Sequence, residues 1–306
     1  MLDFAQNTVD GILIGASYAL LAIGFTLIFG VMRRLNLAYG PSIMLGAYFG
    51  TLLYLEVGAA PVLVALTTVA GAVLVGIYVE RLCFAPMAGR PGAGIASMVS
   101  SFAIWMQLEQ AGILILPRHT YAFPPLFSGS VLDIGPLFVR ADHLVMLAVA
   151  IAIVAALHLL LHRTRFGLGL RAVVDNRTAA HLVGIDVRLV SLLAFALASA
   201  IGGAAGFLVL ASDQQITPMF GMWATLKGLV AMMIGGLGSL PGAIVGGLLL
   251  GVVEMHSLWY FGPQVRDLST YFLLFLVLVL RPGGLLQGLG RHQGLLPEGR
   301  GRWTST

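Results

Sequence analysis

The chain has 306 residues, 58% of them hydrophobic and 10% charged, with a formal net charge of +4 and a mean hydropathy of +0.95. A soluble domain carries about 25% charged residues, so the composition excludes a soluble globular protein and sets the class as polytopic membrane protein. The basic excess needs no nucleic-acid partner, because surplus arginine in a membrane protein marks cytoplasmic loops.

The first residues, MLDFAQNTVDG, carry Asp3 and Asp10 and no Lys or Arg. They lack the basic n-region of a secretory signal peptide, so the first span is expected to be an uncleaved membrane helix. A span needs about 20 apolar residues. In chain order the spans are predicted at 9–31, 37–55, 61–79, 95–116, 142–162 and 189–211, a Gly-rich pair at 223–238 and 240–256, and a last span at 268–281. That makes nine segments, or eight if the Gly-rich pair is a broken or re-entrant unit. The fold class is all-α, since barrel strands would alternate polar with apolar residues, and the 39 glycines suit close helix packing. The whole of 1–306 is expected to form a single transmembrane domain, with a cytoplasmic segment at 163–188 and a cytoplasmic tail at 282–306.

With the N-terminus outside, alternation puts Arg33, Arg34, Arg81, Arg90, Arg163, Arg165, Arg171, Arg177, Arg188, Arg281, Arg291, Arg300 and Arg302 on the inner side. Arg118, Arg140 and Arg266 fall outside, and Lys227, the sole lysine, lies within a Gly-rich span. Thirteen against three predicts an outside N-terminus and an inside C-terminus.

Between the first two spans, GVMRRLNLAYG sets Arg33 and Arg34 against apolar sequence on both sides. A charge at the centre of a membrane helix costs about 2.5–3.5 kcal/mol on insertion scales. The pair therefore reads either as a boundary marker, with its heads in water or phosphate, or as part of a break where Asn36 and Gly40 line a polar path. Gly40-Pro41 is expected to interrupt the helical hydrogen bonding. The stretch GGLGSLP, with Gly235, Gly236 and Gly238, is a second predicted break, and the two are read as candidate equivalent positions of inverted repeats. After it, Gly242/Gly246 and Gly247/Gly251 form GxxxG pairs that allow close helix approach.

Catalytic and metal chemistry find no support in the sequence. There is no phosphate loop, no HExxH and no GxSxG, and the lone Cys83 supplies neither an internal disulfide nor a cysteine cluster. His158 and His162 are i,i+4 but have no third ligand in sequence. No enzyme activity, cofactor or metal is expected. In the fourth span, FAIWMQLEQAGILIL places Gln107, Glu109 and Gln110 within apolar sequence. An intramembrane carboxylate is a functional candidate by default; Glu109 either binds a substrate amino group or hydrogen-bonds another helix.

The polar segment 163–188, RTRFGLGLRAVVDNRTAAHLVGIDVR, is predicted to hold a short amphipathic helix lying flat on the membrane. Ala172, Val173, Ala179, Ala180, Leu182 and Val183 form its apolar side. Asp175 or Asn176 is positioned as a cap, and Gly184 as a left-handed terminator. Such a helix rests on lipid or docks in a partner's groove; alanines in place of large anchors suit the groove.

TAAHLVG, Thr178 to Gly184, resembles the Glu-Ala-Ala-x-x-x-Gly loop of ABC importer permeases, with Thr178 where Glu is usual. ASYALLAIGFTLIFGVMRRLNLAYGPSIMLGAY resembles the opening of branched-chain amino acid ABC permeases of the LivH type. LKGLVAMMIGGLGSLPGAIVGGLLLGVVE resembles their C-terminal glycine signature. At NLAYG the family commonly has Asn-Phe-Ala-His-Gly, so Leu37 and Tyr39 are departures. The resemblance implies an inner-membrane permease subunit that moves branched-chain or related small apolar amino acids by ATP-driven alternating access. It also implies a second permease subunit, two cytoplasmic ATPases and an external solute-binding protein. Residues Arg171, Asp175, Asn176, Thr178, Ala179, Ala180 and Gly184 would form the coupling segment to the ATPase, and the translocation path is expected at Asn36, Gly40, Gln107, Glu109, Gly235, Gly236 and Gly238. Urea or short amides are the alternative substrates within the same family. An ion-coupled carrier using Glu109 and a small-solute channel are the alternatives outside it.

Overall fold

The computed structural model describes residues 2–88, 92–115, 118, 120–126, 131–134 and 137–286. Among them each of the nine expected segments forms its own helix: α1 (Leu2–Met32), α2 (Tyr39–Val57), α3 (Pro61–Val79), α4 (Ala93–Ile115), α5 (Ala141–Arg163), α8 (Val187–Asp213), α9 (Phe220–Gly235), α10 (Leu240–Phe261) and α11 (Arg266–Leu280). Two shorter helices, α6 (Arg165–Asp175) and α7 (Arg177–Leu182), occupy the polar segment between α5 and α8. A π-helical turn over Glu80–Phe84 prolongs α3. The Gly-rich pair is thus two helices joined by a tight turn. Among the described residues seven helices are long and apolar enough to cross a bilayer alone; α2 and α9 are not among them. α9 has 16 residues, about 24 Å at 1.5 Å each, short of a 30 Å hydrocarbon core.

A short apolar helix is tolerable where protein surrounds it. α9 packs against α1, α2, α10 and α11, and α1 is the most enclosed span. α4, α5 and α11 lie at the periphery and turn Ile95, Leu114, Ile151, Phe272 and Phe275 outward, as helices facing lipid do. The extensive α1–α10 contact rests on missing side chains: a Cβ at Gly11 would lie 2.5 Å from the Cα of Val252, and one at Gly15 2.9 Å from that of Leu248. The two GxxxG pairs divide their work. Gly242 and Gly246 close on the C-terminal half of α9, while Gly247 and Gly251 close on α1.

One end of the bundle carries the N-terminus and the β structure. β1 (Tyr121–Ala122) pairs antiparallel with β4 (Gln215–Ile216), and β2 (Val131–Ile134) with β3 (Leu137–Arg140). The Gln6 amide donates to the Phe138 carbonyl (2.7 Å) and accepts from the Phe138 N–H (3.1 Å), extending β3 onto α1. The opposite end holds residues 33–38, the π-helical turn, α6, α7 and the α9–α10 turn. Residues 282–286, the start of the expected tail, pack there: Leu285 N–H and Leu286 N–H donate to the carbonyls of Ile234 and Gly235 (2.9 and 3.1 Å), satisfying the exposed end of α9. Residues 287–306, with Arg291, Arg300 and Arg302, lie outside the described residues, as does Arg90.

Three expectations are corrected. The first break lies in residues 33–38, not at Gly40-Pro41; both of those sit in the first turn of α2, where proline's missing N–H has no intrahelical partner to lose. The single amphipathic helix expected in 163–188 is two helices, broken where Asn176 takes an extended conformation (φ −149°). The breaks after α1 and α9 close the first and seventh spans, which run in the same direction, so they are not inverted copies of each other.

Candidate functional site: the inner breaks, the connecting helices and a buried charge cluster

The first break is built by its own polar groups. Arg33 ends α1 in the left-handed region (φ 51°), and its N–H donates to the Phe29 carbonyl (2.6 Å). Asn36 is buried, and its Oδ1 accepts from the Ala38 N–H (3.1 Å), satisfying a donor that the helix break frees. The Ser101 hydroxyl of α4 accepts from Leu37 N–H (3.2 Å), tying the break to that helix. Gly40 lies against the backbone of Gly221 and Thr225 at the start of α9, so the α2–α9 crossing leaves no room for a side chain there. Tyr39, one of the two departures from the family pattern, is fully buried. Its ring fills the space between Gly24 and Gly202, stands edge-on to Phe25 at 4.5 Å, and its hydroxyl donates to the Ala198 carbonyl (3.1 Å).

The second break has the same economy. Gly235 faces Gly242 across the turn, and Gly236 and Gly238 hold φ of 113° and 82°, values that side chains avoid. Ser239 Oγ then caps α10 by accepting from Gly242 N–H (3.1 Å). Next to this turn is an open groove of about 780 Å³ lined by Thr26 and Gly30 of α1, by Arg171 and Asp175 of α6, and by Gly238 and Ser239. Two predicted coupling residues and one predicted path residue therefore share one surface. Thr26 Oγ1, buried in that wall, has no hydrogen-bond partner among the described residues.

α7 shows which residues of the polar segment face outward. Asn176, not Asp175, is the cap: its Oδ1 accepts from Ala179 N–H (3.0 Å). Gly184 terminates the helix at φ 85°, with Ile185 N–H donating to the Ala180 carbonyl (3.0 Å). The six apolar residues expected on one side do not share a face. Val173 and Ala180 point into the bundle, whereas Thr178 and Ala179 are exposed and Leu182 and Val183 are 81% and 76% exposed. The bend at Asn176 resets the helical phase between α6 and α7, and within α7 Ala180 and Leu182, two positions apart, lie about 200° apart around the helix.

The fourth-span candidates stand apart from both breaks. Glu109 accepts from Trp105 Nε1 (2.9 Å) on its own helix, and Gln107 accepts from the Tyr78 hydroxyl (3.2 Å) of α3. Neither bond unites α4 with the polar groups of α1, α9 or α10.

The densest polar cluster was not anticipated from the sequence. Glu254 of α10, 1% exposed, contacts Lys227 Nζ of α9 and the Thr270 hydroxyl of α11 through Oε1. Its Oε2 accepts from the Tyr18 hydroxyl of α1 (2.8 Å) and from Arg266 Nε (3.2 Å). Lys227 also reaches Asp267 (3.0 Å) and Thr270 (3.2 Å), and Arg266 donates to the Tyr18 oxygen (2.9 Å). Two cations and two carboxylates balance, and four helices meet at one carboxylate. Charges inside a membrane protein face the bundle and pair with each other; here they tie α1, α9, α10 and α11 together. The signal was present, since Lys227 is the sole lysine and sits in an apolar run, but nothing in a single sequence links it to Glu254, 27 positions on.

Comparison with known proteins agrees with this architecture. Residues 7–280 match the family described as branched-chain amino acid transport system / permease component. The chain is 30% identical to the high-affinity branched-chain amino acid transport system permease protein BraD of Pseudomonas aeruginosa, over 92% of this chain and 95% of that protein. It is 30% identical to the permease protein LivH of Escherichia coli K12, over 93% of this chain and 96% of that protein. A solved structure of PsaBC from Streptococcus pneumoniae in complex with Fab shares the fold at a TM-score of 0.52 and 12% identity, covering 92% of this chain and 94% of that one. Matched by that family over residues 7–280 and 30% identical to its members over more than nine-tenths of its length, the chain belongs to the branched-chain amino acid transport permease family.

Proposed function

We propose that this protein is the permease subunit of an ATP-driven importer of branched-chain or related small apolar amino acids. It would work with a second permease subunit, two cytoplasmic ATPases and an external solute-binding protein. The observation that carries the reading is the family match along residues 7–280, from the first turns of α1 to the end of α11. The exposed face of α7 (Thr178, Ala179, Leu182 and Val183) supports a docking role. There α7 would transmit movement of the ATPase to α8, and through α6 to the groove that Arg171, Asp175 and Gly238 share. Gly184 and Asn176 would keep α7 short and rigid, and Ala180 would anchor it inward. Asn36 and Gly40, with Gly235 and Gly236, would let the inner ends of α1, α2, α9 and α10 shift during alternating access.

An ion-coupled mechanism through Glu109 has less support. Its carboxylate is engaged by Trp105 on the same helix and meets no group from the central helices α1, α9 or α10. Reconstitution tests the main reading. Proteoliposomes holding the complete complex should accumulate labelled leucine only with ATP inside and the binding protein outside. Leucine uptake driven by a proton or sodium gradient without ATP would refute it.

The proposed orientation has the N-terminus outside and the C-terminus in the cytoplasm. In a Cys83→Ser background, an impermeant thiol reagent added to intact cells should label Leu2→Cys and spare Arg300→Cys. External labelling at position 300 would reverse the assignment. A further expectation concerns the first break. Asn36→Leu removes the acceptor for Ala38 N–H, a loss of about 1–3 kcal/mol for a buried group. Uptake per folded protein should fall severalfold, with Asn36→Asp retaining more of it. Uptake in Asn36→Leu equal to wild type would remove this residue from the pathway.

A further inference from the structure

A second pocket, of about 640 Å³, opens at the inner end between α1, the π-helical turn after α3, and the start of α8. Four arginines line it: Arg34 after α1, Arg81 in the π-helical turn, Arg177 at the start of α7 and Arg188 at the start of α8. Two carboxylates, Glu80 and Asp186, share the wall with them, so the lining keeps an excess of positive charge. Asp186 spends its Oδ1 on capping α8, accepting from Arg188 N–H (3.0 Å) and Leu189 N–H (3.1 Å). Glu80 Oε2 stands 3.9 Å from Arg81 Nε, beyond hydrogen-bond reach. Among the described residues, no carboxylate lies within 4.0 Å of the side-chain nitrogens of Arg34, Arg177 or Arg188. Burial, and after it the nearby positive charge of Arg177, depress the pKa of Arg34. An anion would relieve that cost.

Two further atoms point to a bound molecule with hydroxyl groups. Glu80, 4% exposed, and Ser191, 1% exposed, both line this pocket, and Glu80 Oε2 and Ser191 Oγ have no hydrogen-bond partner among the described residues. Buried polar atoms are nearly always satisfied, and a carboxylate oxygen facing a ligand is satisfied by a donor. Beside them, Met32, Phe84 and the half-exposed Leu189 give the pocket an apolar wall.

We propose that this pocket binds the headgroup of an anionic glycerophospholipid. The phosphodiester sits among Arg34, Arg177 and Arg188, and a headgroup hydroxyl donates to Glu80 while another contacts Ser191. Guanidinium groups favour phosphate through charge-assisted, bidentate hydrogen bonds, and basic pockets between membrane helices are suited to such headgroups. Because Arg177 opens α7, a bound lipid ties that helix to α1 and the end of α3. A soluble phosphate ester has the same chemistry; the apolar wall at Leu189 favours the lipid.

The test is native mass spectrometry of the purified permease titrated with phosphatidylglycerol, phosphatidylcholine and phosphatidylmethanol, the last lacking headgroup hydroxyls. Phosphatidylglycerol should bind at least fivefold more tightly than either other lipid. Arg34→Gln/Arg188→Gln should lower its affinity at least fivefold, and Ser191→Ala with Glu80→Gln should erase its advantage over phosphatidylmethanol. Protection of Cys83 from thiol reagents, equal to that of the unaltered protein, verifies that each variant is folded. A folded Arg34→Gln/Arg188→Gln variant that binds phosphatidylglycerol as wild type does would overturn the site. So would equal binding of all three lipids, or displacement of phosphatidylglycerol by millimolar glycerol phosphate.

Discussion

Glu254→Leu is expected to be the most destabilising single change in the membrane core. The substitution leaves Lys227, 4% exposed at its side chain, and Arg266 without their shared carboxylate. Breaking a buried ion pair by removing one partner costs about 3–5 kcal/mol, because the other charge stays buried without compensation. Lys227 retains Asp267, whose side chain is 72% exposed and so a weaker counter-charge. Lys227→Met/Glu254→Leu removes one charge of each sign, and with it the buried lysine that Glu254→Leu alone leaves without its main counter-charge. The double variant should therefore be more stable than Glu254→Leu alone. The sole cysteine, Cys83, is fully buried, so its reaction with a thiol-reactive fluorophore on heating reports unfolding. If the two single changes simply add, the cluster is not an energetic unit.

Leu182→Arg should abolish most ATP-driven uptake while leaving the fold intact. Its side chain is 81% exposed, so no packing within the bundle is lost. If Leu182 is buried in the ATPase groove, its removal forfeits about 1.5–3 kcal/mol, or about 10- to 150-fold in affinity. The ATPases should copurify poorly and uptake should fall at least tenfold, with the thermal unfolding of the permease unchanged. Ala180→Arg is the contrast: Ala180 is 3% exposed and packed inward, so that change should lower thermal stability as well. Gly184→Asp adds strain at φ 85°, about 1–2 kcal/mol for a residue in the left-handed region. Full copurification and uptake in Leu182→Arg would remove α7 from the docking surface.

The nine apolar helices were legible because a run of about 20 apolar residues has few alternatives in lipid, where a helix satisfies its own backbone; seven of them are long and apolar enough to cross alone. The glycine pairs were legible for a related reason: GxxxG brings two small residues onto one helix face whatever that face meets. Gly184 was legible as terminator and the cap was narrowed to Asp175 or Asn176, since both roles are settled within one helical turn; the structure selects Asn176. The arginines after α1 marked the end of that helix, and the inner pocket around Arg34 is a feature that their spacing did not reveal. Gly40-Pro41 misled because proline after glycine signals an end or a beginning equally well, and the first turn of α2 uses it as a beginning.

Rotation and pairing came from packing. A helix that is apolar all round has no amphipathic direction to read, so the sequence could not say that Gly247 and Gly251 face α1 while Gly242 and Gly246 face α9. The same ambiguity hid the cluster of Lys227, Glu254 and Arg266, whose members lie on three helices and meet only when those helices take one rotational setting. It also hid the division of α7, where Ala180 turns inward and Leu182 outward after the bend at Asn176. Local chemistry therefore determined where helices begin, end and approach closely. Close packing of many such helices, each constrained by the glycine contacts of its neighbours, determined which side chains share a site.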